Sequence, residues 1–430
     1  MWAYRGFAAP YEAFDFDALE ALAVNYQRRV VQTLLSRFGA LLEARGDGVS
    51  NLLSEWIDSP SDFEEIFDSS FGKIGELLKG RRERLGDFDE RHYGEVLGLP
   101  TLVPMRGDDP EVLERAAGLA LRMVECGLPG DFSLAIGEPT RLRWAGWLLP
   151  PADALSVESD AAHATITLRC EGSVRTFEFE STDAGWSGSA ETLLPTAKLV
   201  DRSLQIISPE WSCPRDYLRT RLRDDELPAA IELVEAAGRV VGSYAPAYVG
   251  WVERVLRHLI PTRTPNDVIA SGTSGHRPGL LYLGWPMPVS VAAELLVHEA
   301  AHHHFWLASS YGAVEQGGGD ELSFSVYVRQ QRNLRTMLMT YHAFANVVLF
   351  YRACRAHGFR DAVADGREAE FSGQLAHYEK ILAASKCLTP LGRALWEPLA
   401  ELAHSSSAPD TLSNSPSQGE SHDIEEIHAE

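Results

Sequence analysis

The feature that most constrains this chain is the run 291–310, which holds no glycine or proline and carries His298-Glu299-Ala300-Ala301-His302. Leu295, Leu296, Phe305 and Trp306 can turn apolar surface inward from it, so the run predicts a core helix. Histidines four residues apart lie about one turn apart on one helix face, so both imidazoles can reach one metal. His303 and His304 point about 100° and 200° around the axis from His302, so they cannot all face one metal and are expected to support the ligands or to pack. Metal binding is the organising hypothesis.

Composition narrows the classes around it. A length of 430 residues suits two or three domains with a sizeable core. The net charge of −22 argues against a general nucleic-acid binder, because a phosphate backbone is repelled. The five cysteines show no Cys-x-x-Cys spacing, so neither a disulfide framework nor a cysteine zinc site is expected. No basic stretch followed by an apolar core opens the chain, and no uncharged apolar run approaches membrane-spanning length. A cytoplasmic enzyme without a membrane partner is the expectation, and oligomeric state is not legible.

In chain order, 1–149 reads as a helical region, with helices over 14–45, 61–78 and from Pro110 to about Gly127. The basic cluster 79–84 reads as a solvated helix end. Residues 150–208 alternate in hydropathy over 163–170 and 174–180 around Glu171-Gly172-Ser173, the pattern of a hairpin, and 204–207 can add a strand. Residues 209–404 are helical again, with amphipathic helices over 227–241 and 247–259, the latter closed by Ile260-Pro261. Leu280-Leu-Tyr-Leu283 reads as a short strand beside the metal helix, and 334–358 as a long helix carrying His342. The acidic, serine-rich tail 405–430 reads as disordered. The expected fold is mainly α with a small antiparallel β insert (α+β), built around the His-Glu-x-x-His helix.

Between about residues 227 and 352 the chain resembles a bacterial family of His-Glu-x-x-His proteins encoded beside ribosomally made, modified peptides. The resemblance rests on Arg257-His-Leu-Ile-Pro261, Ser271-Gly-Thr-Ser-Gly275, Pro278 to Gly284, Glu294 to His302, Val328 to Arg335 and Leu338 to Phe344. It implies an iron(II)- and 2-oxoglutarate-dependent peptide β-hydroxylase acting on a precursor peptide. The chain departs from the family's Pro-Trp-Arg pattern with Tyr327-Val328-Arg329, and it has Met339 where many relatives carry a polar residue.

In that reading His298 and His302 hold Fe(II) with a third ligand, leaving positions for 2-oxoglutarate and oxygen. The resemblance points to His342 as the third ligand, although a hydrogen-bonded core histidine is its plain alternative. Asp320 and Glu321 are the carboxylate alternatives. Arg329 or Arg332, with Arg335 one turn beyond, is expected to clamp the co-substrate carboxylate, since the guanidinium fork pairs bidentately. The competing reading is a zinc peptidase, with Glu299 as the general base acting on metal-bound water and Glu321 as the third ligand. A third is a non-catalytic peptide-binding protein with a structural metal, for which Glu294, His303 and His304 are the nearby further ligands.

Overall fold

The computed structural model describes residues 5–10, 16–58, 110–125, 127–160, 162–182, 185–188, 192–207, 222–223, 225–264, 270–273, 279–317 and 322–404. The expected helix 61–78, the basic cluster 79–84, Asp320, Glu321 and the tail lie outside these residues. The fold is mixed α+β, with helices predominant and several antiparallel sheets.

The first lobe is a six-stranded antiparallel sheet covered by helices Phe16–Arg45, Val49–Asp58 and Pro110–Glu125. The expected hairpin sits in it as strands His163–Cys170 and Ser173–Thr182. Glu171 and Gly172 both adopt positive φ (49° and 82°), the geometry that joins two strands through a two-residue turn. The sheet also draws in Gly46–Asp47 and Phe132–Thr140, from the region expected to be mainly helical. Alternation in Phe132–Thr140 stops at Gly137, where the pairing shifts register, and that break hides the strand's period.

The second lobe holds the metal helix. Its five-stranded sheet runs in the order β1 (Thr196–Lys198), β2 (Ser203–Ile206), β3 (His258–Arg263), β5 (Leu280–Trp285), β4 (Ser271–Gly272). The strands β2, β3 and β5 are parallel, while β1 and β4 are antiparallel to their neighbours. Residues expected to close a helix thus form β3. Pro261 is tolerated in it because β2 pairs only as far as Leu259, which leaves the proline's missing N–H without consequence. β1 and β2 belong to this sheet and not to the expected insert.

The helices of this lobe are α1 (Leu227–Tyr244), α2 (Ala247–Val255), α3 (Val289–Tyr311), α4 (Leu334–Ala356), α5 (Ala362–Ala384) and α6 (Pro390–His404). The metal helix is α3, and Val291, Leu296, Val297, Ala300, Ala301 and Phe305 are each 0% exposed, so it is core on nearly every side. α4 begins where Asn333 caps it, the side chain accepting from the Thr336 amide at 2.9 Å. Before α4 comes a hairpin the sequence did not disclose, β6 (Leu322–Ser325) and β7 (Gln330–Asn333). The polar Gln-Gln-Arg-Asn of β7 has no strand propensity, and pairing with β6 imposes its conformation.

Candidate metal centre

Because α3 is buried almost all round, each polar side chain it carries needs a partner. His298 and His302, one turn apart, are only half-buried, and their Nε2 atoms approach to 3.1 Å with the rings edge-on. Two nitrogens each about 2.1 Å from one metal, and roughly a right angle apart, would be about 3.0 Å from each other. Burial, with the Arg367 charge adding to it, lowers the His298 pKa to about 4; burial likewise takes His302 well below its usual value. Both are therefore neutral, the form whose lone pair binds a metal. Their Nδ1 atoms and Glu299 Oε2 are buried without hydrogen-bond partners. The pair fits a divalent metal on geometry and charge; the 3.1 Å separation is also that of a hydrogen bond between the two rings, whose shared proton a metal would replace.

Aromatic rings wall the pair. His302 stacks on Trp306 (5.8 Å, 26°), and His298 lies 5.9 Å from Phe344 of α4. The Tyr327 ring, at the turn between β6 and β7, meets Phe344 edge-on at 5.0 Å.

Glu299 and His303 turn towards the sheet. Glu299 Oε1 accepts from Ser271 Oγ at 2.5 Å, and His303 Nε2 lies 2.7 Å from Thr273 Oγ1 and 3.2 Å from the Leu280 carbonyl. Two hydroxyls at the edge strand β4 thus lace it to consecutive turns of α3. Burial raises the Glu299 pKa to about 8, against the lowering effect of Ser271, so the carboxyl is mostly protonated at neutral pH. His304 faces α2, with its Nε2 2.9 Å from the Trp251 carbonyl and its ring stacked on that indole at 4.1 Å.

One turn before His298, Glu294 is 0% exposed. Arg367 of α5 grips both its oxygens through Nε and Nη2, and the Tyr351 hydroxyl donates to Oε2 at 2.6 Å. Sequence reasoning missed Arg367 and Tyr351. A carboxylate on an apolar helix signals that a cation must exist, but this one comes 73 residues later. Glu294 is therefore held in an ion pair, which separates it from the ligand role weighed for it.

The remaining expected residues scatter. His342 is 0% exposed, and its Nε2 lies 2.7 Å from the Phe7 carbonyl, so that nitrogen is already engaged. Among the described residues no third histidine, cysteine, aspartate or glutamate joins His298 and His302. His342 thus occupies the hydrogen-bonded core position that was its plain alternative. Arg329 sits exposed at the turn after β6 with φ 54°, and Arg332 lies on β7 opposite Ser323, on the hairpin face that also carries buried Ser325. Arg335 has its guanidinium 5.9 Å from the Phe305 ring centroid.

Compared with known proteins, the chain matches no protein-family model and no curated protein.

Proposed function

We propose that the protein is a metal-dependent enzyme that modifies a peptide, by Fe(II)- and 2-oxoglutarate-dependent β-hydroxylation of a residue in a ribosomally made precursor. The observation that carries the metal is the neutral, half-buried His298–His302 pair with its 3.1 Å nitrogen separation. When bound, iron with 2-oxoglutarate and oxygen supplies the oxidising power for the hydroxylation. The chain's own part is to hold two imidazoles neutral, to wall them with Trp306, Phe344 and Tyr327, and to present cations for a carboxylate. Arg329 and Arg332 keep that last role from the family resemblance. Arg367, which adds to the effect of burial on His298, is already committed to Glu294.

Two surfaces suit a peptide. Among the described residues β4 is the edge strand of its sheet, tied through Ser271 to Glu299, and an extended chain can add to such an edge. The hairpin exposes Leu322, Phe324, Tyr327 and Val328, beside the aromatic wall of the histidine pair. Adjacent exposed apolar side chains of this kind mark interaction sites.

The zinc-peptidase reading draws on one observation, the buried Glu299 with its orphaned Oε2 and raised pKa beside the pair. Glu299→Gln separates the chemistries. A peptidase loses nearly all activity with its general base, whereas a hydroxylase keeps a substantial part. The first test is succinate formation from 2-oxoglutarate by anaerobically purified, Fe(II)-loaded protein. Oxygen-dependent succinate that is absent in His302→Ala supports the hydroxylase. Tightly bound zinc together with cleavage of a peptide library, and no succinate, assigns the site to peptide hydrolysis.

A further inference from the structure

The segment at residues 6–9 lies more than two hundred residues before α3 in the chain and inside the same apolar core, with Phe7 2% exposed and Ala8 and Ala9 0% exposed. Three successive carbonyls are each taken by a side-chain donor. Gly6 O accepts from Trp251 Nε1 at 3.0 Å, Phe7 O from His342 Nε2 at 2.7 Å, and Ala8 O from Asn346 Nδ2 at 2.8 Å. Residues 5–8 form one helical turn, whose last carbonyls lack partners within the turn, and among the described residues α2 and α4 supply a side-chain donor for each.

The donors are themselves held in place. Asn346 Nδ2 also donates to the His342 carbonyl at 2.9 Å, and the Tyr248 hydroxyl donates to Asn346 Oδ1 at 3.2 Å. The segment also reaches α3 directly, the Phe7 ring meeting the His304 ring edge-on at 6.4 Å. His304 follows His302 by two residues, and His342 precedes by two the Phe344 that lies against His298. One short segment therefore touches α3, which carries the metal pair, and is bonded to α4, which walls it.

We propose that residues 6–8 are a brace for the metal site, gripped through their main-chain carbonyls by Trp251, His342 and Asn346, and that metal affinity depends on this grip. His342 is then a positioning residue that holds the brace, and not a ligand. The inference rests on the reading that His298 and His302 hold a metal.

Co(II) is the probe, with its affinity measured on the full-length chain by competition with a chromophoric chelator. His342→Gln keeps an N–H donor for the Phe7 carbonyl and holds Co(II) within about threefold of the parent, whereas His342→Leu and Asn346→Leu, each of which removes a donor to a brace carbonyl, weaken it about tenfold or more. Leu155→Ala, in the core of the other lobe, controls for general destabilisation and leaves Co(II) affinity unchanged. Parent-like affinity in folded His342→Leu, or in Asn346→Leu if His342→Leu does not fold, overturns the brace. So does His342→Gln losing Co(II) as completely as His302→Ala, which would make His342 a ligand. If the parent and His302→Ala bind Co(II) equally, the metal reading itself falls and the brace with it.

Discussion

The two lobes bury different chemistry. Every buried polar or charged side chain among the described residues, from Glu226 to Glu368, lies in the lobe built on α3. In the sheet lobe the buried set is apolar, from Val31 and Leu34 to Ile166 and Phe179. A buried polar group left without a partner costs about 1–3 kcal/mol, so an apolar core is the simpler route to stability. The second lobe instead sets Glu294, Glu299, His303 and His304 around one helix and supplies each with a partner drawn from a different element. Proteins break the apolar rule mainly where a site requires it, and here the breaches centre on the histidine pair.

Several measurements would break or sharpen that contrast. The largest effect is expected from pH. Burial is the first cause lowering His298, His303 and His342 to about 4 and His304 to about 3, all below the unfolded value near 6.5. The unfolded chain therefore binds protons that the folded chain does not, and stability present above pH 6.5 is lost as pH falls through the folded values. Glu299 opposes this, since its raised pKa adds stability that disappears as pH rises through about 8. Thermal unfolding of the metal-free protein between pH 7 and 4 should show a steep fall in Tm. A flat profile would mean that these histidines are not buried as described.

Next in size is metal retention. His298→Ala or His302→Ala should weaken Co(II) or Fe(II) binding by about a hundredfold or more while the circular dichroism of both lobes stays native-like. Stoichiometric metal in the double variant would remove the basis of the site.

Arg367→Ala leaves Glu294 buried without its cation and should destabilise the α3 lobe by about 3–5 kcal/mol in denaturant titration. Replacing both partners with methionine, and Tyr351 with phenylalanine so that its hydroxyl is not stranded, should recover most of that loss, because an apolar set of similar volume asks for no compensation. Recovery of stability without recovery of metal affinity would show that the pair serves the site more than the fold. The smallest effect belongs to the sheet lobe, where Ile166→Val should cost about 0.5–1.5 kcal/mol and leave Co(II) affinity as it was. A change in affinity there would show that the two cores are coupled.

What the sequence determined was local. The apolar, glycine-free run 291–310 specified α3, and the four-residue spacing set His298 and His302 on one face with His303 and His304 turned away. Alternation around Glu171-Gly172 specified the hairpin of the sheet lobe, and the apolar run at Leu280 specified β5. These are the elements whose side-chain period matches their backbone period over one continuous stretch.

Tertiary structure decided everything that needed a distant partner. It turned 258–263 from a helix end into β3, paired polar 330–333 with 322–325, and brought Arg367 to Glu294. It also gave to a carbonyl 335 residues away the His342 nitrogen that the family resemblance had offered to a metal. Periodicity says which face of a helix is buried. What waits on the other side of that face depends on the packing of the whole lobe, and no window of neighbouring residues contains it.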